Sequence, residues 1–516
     1  NNNSNNNGWN LYSPRKEFSR QEVLQADYFR IYSDEFSLVE SYPRQFLVPS
    51  GIPDAQLIEA AKFRSKNRLP ALTFRNKRNG AVLCRSSQPM VGVLGHRSLA
   101  DKLLLNLYRV RGNIHDQNEI ENPSDFYIMD CRKAIAATAN SALGKGVEDE
   151  KQYDRTKVIF LEIENIHVMR TCMQLLDQVI LQGVYVGTDS SHDDSRFYSK
   201  IEETEWLVHI RKILMAGVLV AEKLELERAS VLVHCSDGWD RTAQVCALAQ
   251  ILLDPYFRTI EGLCVLIEKD WCSFGHKFHD RIGHADLNTE SSERSPVMIQ
   301  WLDVVHQLII QFPNQFQYTE KLLIFIADAV YSCQFGTFLG NCEKDREKEL
   351  NCKSRTKSVW SYVMFHALTW TNPNYQEYAG PIWPATTSRN IKFWERYFFR
   401  WEPEMHPRIT SGNEWLDDWG TKVITPNIQT NQTNMKPIEI NQHDNSSDSN
   451  ISRPISVAHG RLPVDLNSLD LNDSQQTRGR TSSDLLRHMP STIEENEEND
   501  DKEDILRHRS SRFQSL

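Results

Sequence analysis

Val231-Leu232-Val233-His234-Cys235-Ser236-Asp237-Gly238-Trp239-Asp240-Arg241-Thr242 is the stretch from which the rest of the chain can be read. Its apolar start, with Ser230, reads as a short buried strand. Residues 242–253 read as a helix, with Val245, Leu248, Ala249 and Leu252 on one stripe. A tight loop joins the two, and in it Cys235 and Arg241 are separated by five residues. Backbone N–H groups of such a loop can converge on one anion, most of all at a helix N-terminus. Gly238 permits the curvature, and Arg241 offers a planar fork matched to two phosphate oxygens. A cysteine at the base of that positive concavity is expected to fall from a pKa of ~8.5 into the range ~3.5–7.5. The thiolate would then be a nucleophile for phosphoryl transfer, with the Thr242 hydroxyl as a hydrogen-bond donor to it. A bare Cys-x5-Arg spacing recurs by chance as a buried cysteine before a polar helix cap. The strand before, the glycine within and the helix after lift this one above that alternative.

Outward from the loop the pattern is α/β. Phe126-Tyr127-Ile128-Met129-Asp130 and residues 157–163 read as buried strands. Each precedes a helical pattern, 133–143 ended by Gly144, and 167–181. Residues 203–227 read as one long helix, with Trp206, Ile210, Ile213 and Val218 near period 3.6. Strands alternating with helices predict a central, mostly parallel sheet flanked by helices. Residues 295–339 look all-helical, with Trp301, Val304, Val305 and Leu308 on one side. The stretch 46–91 looks β-rich and holds a basic cluster at 62–68. The aromatic run 393–399 reads as core packing.

The chain has 516 residues and a net charge of −10, from 59 basic and 69 acidic residues. That balance disfavours a globally basic nucleic-acid binder. No run of about 18 apolar residues is present, so no spanning helix is expected. The ten cysteines form no Cys-x2-Cys pair. Neither a zinc site nor a disulfide framework is expected, and a reducing, cytosolic setting is. Residues 1–7 are an Asn-rich lead with no signal peptide visible, and the missing Met suggests a piece of a longer chain. Residues 8–420 read as the catalytic domain. Residues 421–516, rich in Asn, Ser, Asp, Glu and Gln and without Trp or Tyr, read as a disordered C-terminal tail. They show no sustained heptads.

His234-Cys235-Ser236-Asp237-Gly238-Trp239-Asp240-Arg241-Thr242 resembles the signature of the myotubularin-related lipid phosphatases. Further blocks are similar to that family: Gly8-Trp9-Asn10-Leu11-Tyr12, Phe63-Arg64-Ser65-Lys66-Asn67-Arg68-Leu69-Pro70, Glu164-Asn165-Ile166-His167-Val168-Met169-Arg170, Glu268-Lys269-Asp270-Trp271, Ser273-Phe274-Gly275-His276-Lys277-Phe278 and Gln334-Phe335-Gly336-Thr337-Phe338-Leu339-Gly340-Asn341. Coverage is about residues 8–410, and the intact Cys235 and Arg241 resemble the active branch. The resemblance implies the cysteine-dependent phosphatase fold. It implies hydrolysis of the 3-phosphate of phosphatidylinositol 3-phosphate and phosphatidylinositol 3,5-bisphosphate, with no metal and no cofactor. It also implies that Asn140, Asn165 and Ile166 line the inositol pocket and that Lys277 and Arg281 bind substrate. The family often has Arg where this chain has Lys277. An upstream PH-GRAM domain, a homo- or hetero-oligomer with a related phosphatase, and a cytoplasmic, peripheral-membrane, endosomal location are further family expectations. No nucleic acid is expected as a partner.

The roles follow from the chemistry. Cys235 attacks phosphorus and forms a thiophosphate ester, which water then hydrolyses. Arg241 and the amides of Ser236, Asp237, Gly238, Trp239 and Asp240 stabilise the transferring group. The leaving oxygen needs a proton, yet the chain has no Trp-Pro-Asp loop. Trp383-Pro384-Ala385 lacks the acid and Trp401-Glu402-Pro403 has the wrong order. Two ionised carboxylates beside a phosphate dianion repel it, so with substrate bound at least one of Asp237 and Asp240 is expected to be protonated, or to point away. Asp240 is favoured as general acid, in agreement with the role usually proposed in the family. Its alternatives are to orient Arg241 or to cap the helix. Asp237 is expected to help the acid or water step. Lys277 and Arg281 at i and i+4 would share a helix face and receive a second phosphate. The alternative is a solvated surface pair. His234 reads as an orienter rather than a base, and His276 and His284 as structural or exposed. A protein tyrosine or dual-specificity phosphatase and a non-catalytic phosphoinositide-binding adaptor are the rival functions.

Overall fold

The computed structural model describes residues 7–25, 27–112, 125–139, 144–186, 195–284, 286 and 291–400. Most of the lead, the tail at 421–516, the end of the 133–143 helix and Asn140 lie outside them. Seven strands form one sheet in the order β1-β2-β3-β4-β7-β5-β6. They are β1 (Phe29–Ser33), β2 (Gln45–Pro49), β3 (Ala71–Arg75), β4 (Val82–Ser86), β5 (Phe126–Asp130), β6 (Thr156–Phe160) and β7 (Ser230–His234). β4, β7, β5 and β6 run parallel, the βα part that the alternating pattern predicts. β1 to β4 form an antiparallel meander that extends the sheet at one side. It contains most of the stretch read as β-rich, although Asp54–Lys62 within that stretch is helical.

The α-helices up to residue 332 in chain order are α1 (Pro14–Arg20), α2 (Asp54–Lys62), α3 (Leu99–Gly112), α4 (Ala134–Ala139), α5 (Ile166–Val186), α6 (Ser195–Glu203), α7 (Trp206–Glu225), α8 (Arg241–Leu253), α9 (Ile260–Ile267), α10 (Phe278–Ile282), α11 (Val297–Gln311) and α12 (Glu320–Ser332), and short helical turns follow. The sheet separates two apolar cores, and the strand alternation sorts side chains between them. Val231 and Val233 of β7 face the larger core with α5, α7, α8, α9, α11 and α12. Leu232 faces the smaller core with α2 and α3.

Three expectations are corrected by this packing. The helix read over 203–227 is two helices, because Glu205 adopts a left-handed backbone (φ 59°) between α6 and α7. The region 295–339 is broken between α11 and α12, where Tyr318 bridges to Thr371. In α8 every residue from Thr242 to Leu253 is buried, so no single stripe faces the core. α7, α11, the turns at 255–258 and 268–273, and strands β4 and β7 cover it, the state of a fully interior helix. The run at 393–399 does pack into the larger core.

All ten cysteines are unpaired, and only Cys333 is exposed. Among the described residues no helix is long and apolar enough to cross a membrane. Ser86, His234 and Asp130 lie side by side at the carboxyl ends of β4, β7 and β5. The loops leaving these three strands therefore start at one level, with the cysteine loop in the middle.

Candidate active site

Residues 235–240 span from β7 to α8. Cys235 is buried, and its Sγ accepts a hydrogen bond from the Gly238 amide at 3.3 Å. Gly238 has φ 79°, and a Cβ there would stand 2.2 Å from the Ser86 carbonyl oxygen, so only glycine fits. The carbonyls of the loop turn outward onto a polar wall. Ser236 O accepts from the Gln88 amide at 3.0 Å. Gly238 O accepts from both Arg68 Nη2 and Arg85 Nη2, each at 3.0 Å. Trp239 O lies 3.0 Å from His276 Nδ1. In a planar trans peptide the next N–H points opposite to the carbonyl. The amides of Asp237, Trp239 and Asp240 are thereby aimed into the loop, where they can hold an anion.

The wall is charged and buried. Arg85 pairs with Asp270 at 3.0 Å, and Arg64 pairs with Asp101 and Glu148 at 2.7 and 2.6 Å. Arg132 pairs with Asp130 at 2.6 Å and also donates to the Gln88 side chain. Arg68 donates to Ser41, Gly238 and Phe274 and faces the Tyr42 and Trp239 rings. Burial pulls its pKa down to about 10, which still leaves a cation at neutral pH. His234 Nε2 lies 3.1 Å from Glu148 Oε2, and Nδ1 lies 3.1 Å from the Cys235 carbonyl oxygen. Both neighbours are acceptors, so both ring nitrogens carry protons. Burial alone would lower the His234 pKa, but the Glu148 and Asp130 charges outweigh it and raise it. An imidazolium with both nitrogens engaged cannot be a base, in line with the orienting role read from sequence.

The Asp240 carboxyl is paired on both oxygens. Arg281 Nη2 and Nε donate to its two oxygens at 2.8 and 3.1 Å, and His276 Nδ1 lies 3.1 Å from Oδ1. Burial opposes ionisation, but Arg281 and His276 outweigh it and hold the carboxyl far below the usual carboxylate range. In this resting site Asp240 is a carboxylate, whereas the proton expected on it belongs to the substrate-bound site. Neither of the two alternative roles is seen. No side-chain cap joins it to α8, and no ion pair among the described residues joins it to Arg241. Asp237, half-buried, accepts from Ser65 Oγ at 2.8 Å.

Arg241 donates to the Ile163 carbonyl at 3.1 Å and reaches Ser236 Oγ at 3.4 Å. The turn after β6 thus holds the guanidinium beside the loop. Thr242 Oγ1 is buried without a hydrogen-bond partner. The expected bond to Cys235 is absent, and the Gly238 amide takes that place on sulfur. Lys277 and Arg281 do not share a helix face. Lys277 is the residue before the five-residue α10, not part of it. Both reach the loop by separate routes. Lys277 Nζ bonds Asp280 at 2.8 Å and lies 4.8 Å from the centre of the Trp239 ring. Arg281 is buried between Asp240 and Glu293, so it is not a solvated surface group. Asn165 caps α5, its Oδ1 accepting from His167 and Val168 amides at 3.0 and 3.1 Å. Ile166 packs against the larger core.

Sequence reading missed the wall. Ser65 lies in a stretch singled out for resemblance, Arg64 and Arg68 also in the basic cluster at 62–68 without an assigned role, and His276 reads as structural or exposed. Arg85 and Glu148 carry no local signal, because their partners are remote in sequence. His276 does sit edge-on to Trp271 and Phe278, as a structural histidine would, but its Asp240 contact was not anticipated.

A buried cysteine under inward-facing amides, between a central parallel strand and an interior helix and with an arginine six positions on, has the geometry expected of a phosphate-binding loop with a cysteine nucleophile. Residues 1–347 match the family described as Myotubularin-like phosphatase domain. The chain is 41% identical over 423 residues to the phosphatidylinositol-3,5-bisphosphate 3-phosphatase MTMR2 of Pongo abelii, covering 80% of this chain and 62% of that protein. It is 41% identical over 414 residues to the protein of the same name from Mus musculus, with 78% and 60% covered. It is 39% identical over 401 residues to the myotubularin of Xenopus tropicalis, with 77% and 64% covered. The chain belongs to the myotubularin-related phosphatase family. It spans 60–64% of the length of these relatives.

Proposed function

We propose that this protein hydrolyses the 3-phosphate of phosphatidylinositol 3-phosphate and phosphatidylinositol 3,5-bisphosphate at the periphery of a membrane. The observation that carries the reading is the Cys235 thiol beneath the amides of Asp237, Trp239 and Asp240, with Arg241 held beside it. The names of the MTMR2 relatives support the lipid substrate. Cys235 Sγ attacks phosphorus. An S–P bond forms as the bond to the inositol oxygen breaks, and that oxygen takes up a proton. Water then cleaves the S–P bond and releases inorganic phosphate. Loop amides and the Arg241 fork stabilise the charge that spreads over the phosphoryl oxygens.

The proton source is tied to Arg281. A phosphate dianion entering the loop competes with Asp240 for that guanidinium. As Arg281 turns toward the substrate, Asp240 loses the strongest charge that keeps it ionised and takes up a proton, which it then donates. Asp240→Asn should slow esters with poor leaving groups far more than those with good ones. Equal loss on both removes the acid role, and a leaving-group effect in Asp237→Asn instead transfers it to Asp237.

The reading is tested by phosphate release from a panel of short-chain phosphoinositides and one phosphotyrosine peptide, with Cys235→Ser alongside. Release confined to the two 3-phosphorylated lipids and abolished in Cys235→Ser is the expected result. Release from the peptide supports a protein phosphatase. Binding of the lipids without any release supports an adaptor.

A further inference from the structure

The chain presents two consecutive aliphatic side chains to solvent on the loop that borders the cysteine loop. Val93 and Leu94 are 78% and 84% exposed, and Leu99, at the start of α3, is 84% exposed. Scattered single exposed apolar residues are ordinary, but a grouped set marks a contact surface. These are held out by a defined turn. The Gly95 amide donates to the Gly92 carbonyl at 3.3 Å, and both glycines have positive φ, so Val93 and Leu94 form the tip. The His96 amide donates to Val91 O at 2.7 Å and the Gly92 amide to Lys145 O at 3.1 Å, closing the base.

The turn stands at the active-site end of the sheet. Only five positions separate Val93 from Gln88, whose amide holds the Ser236 carbonyl of the cysteine loop. On the other side of that loop, Ile135 of α4 is 86% exposed and follows β5. β4, β7 and β5 end at one level, so both apolar sites flank the mouth that admits the phosphate. Basic residues follow the turn in sequence. His96, Arg97 and Lys102 are exposed, and no ion pair among the described residues engages Arg97 or Lys102. Asp101 is turned inward onto Arg64. An apolar tip in a basic collar matches the layering of an anionic bilayer, with headgroup charge outside and acyl chains within.

We propose that the turn carrying Val93 and Leu94, with Leu99 and Ile135 beside it, inserts into an anionic lipid surface and seats the cysteine loop over its substrate. The inference rests on the lipid-phosphatase reading, and it concerns how the catalytic domain itself meets the membrane.

The test uses the 516-residue chain in two arms. In the first, Cys235→Ser, which cannot turn substrate over, is sedimented with phosphatidylcholine vesicles containing phosphatidylserine, with and without Val93→Asp/Leu94→Asp. Burying even part of two aliphatic side chains corresponds to at least about tenfold in partitioning, so the double variant should lose at least that. In the second arm, active protein with and without the double substitution turns over monomeric short-chain phosphatidylinositol 3-phosphate. The rates should be equal, since no tip side chain belongs to the site. Unchanged vesicle binding in the double variant overturns the proposal, as does an equal loss on the soluble lipid. A change in self-association with vesicle binding intact assigns the tip to a protein contact and also overturns it. Tip-dependent vesicle binding by a protein that hydrolyses neither lipid keeps the docking surface and rejects the phosphatase reading.

Discussion

The Gly238 carbonyl accepts from two buried guanidiniums, and this shared acceptor makes the loop's rigidity measurable. In Arg68→Met, four hydrogen bonds disappear: to Ser41 O, Ser41 Oγ, Gly238 O and Phe274 O. Water can replace the donor at half-exposed Ser41. Gly238 O keeps Arg85. Phe274 O is left buried and unpaired, which costs about 1–3 kcal/mol. Methionine recovers part of the burial cost that holds the Arg68 pKa down to about 10. The net expectation is a loss of about 1–2 kcal/mol. Arg85→Met also breaks the buried pair with Asp270 and should cost about 3–5 kcal/mol. In the double variant Gly238 O has neither donor, so the two losses should fail to add by about 0.5–3 kcal/mol. The same peptide aims the Trp239 amide at the phosphate. Freeing it should lower kcat on short-chain phosphatidylinositol 3-phosphate toward the ~10²–10³ loss typical of one oxyanion donor, with KM changed less. Urea unfolding of the four proteins gives the cycle, and initial rates give the second readout. Additive stability losses with an unchanged kcat would refute the claim that these arginines hold the loop.

Gly238→Ala places a methyl group 2.2 Å from the Ser86 carbonyl at φ 79°; phosphate release should vanish and the melting temperature should fall, and an active, stable variant would sink the steric argument. The His234–Glu148 pair sets a pH window. His234 is raised above its ordinary ~6.5 and Glu148 is lowered below ~4.5, its burial outweighed by His234 and Arg64. The pair's contribution is therefore full between about pH 4.5 and 6.5. It fades as pH falls toward the lowered Glu148 value and as pH rises through the raised His234 value. Glu148→Gln should flatten the decline in melting temperature from pH 6 to 8.5, and parallel curves would reject the coupling. Asp303, buried with Trp206 and Gln307 donating to it, is pushed up to about 7, chiefly by burial. The folded chain then binds the extra proton between about pH 4 and 7, so stability falls as pH rises through that range. Asp303→Asn should gain up to about 2–3 kcal/mol relative to the native chain between pH 5 and 8, and an unchanged difference in urea unfolding would show that Asp303 is ionised at both.

The strand, loop and helix at 231–253 were legible because their signal is local: an apolar triplet, a glycine where the chain must curve, and a run that cannot stop until Asp254. The parallel strands were legible for the same reason. Arg281 shows what local reading loses. Its spacing from Lys277 suggests a shared helix face, yet α10 begins one residue after Lys277. Tertiary packing then turns Arg281 inward to Asp240, 41 positions away. Asp240 itself was read as a carboxyl among anions. Without its remote cation no sequence argument could give its charge, and that charge decides when it can donate a proton.

The antiparallel meander looks like an appendage to a parallel α/β sheet, but it supplies half of the loop's support. Arg68 lies just before β3, Arg85 on β4 and Gln88 just after β4, and all three hold carbonyls of residues 236–238. Of the five arginines buried around the loop, Arg64, Arg85, Arg132 and Arg281 each face a carboxylate within 3.0 Å. Arg68 bonds carbonyls, one hydroxyl and aromatic faces, and no ion pair is formed by it among the described residues. Paired buried charges largely cancel at a distance, whereas an unpaired one adds to the potential in a low-dielectric site. Arg68 is thus both the strut of the Gly238 peptide and the source of net positive charge beneath the phosphate site. A dianion entering the loop compensates that charge, so the burial cost borne by the empty site is offset when substrate is bound.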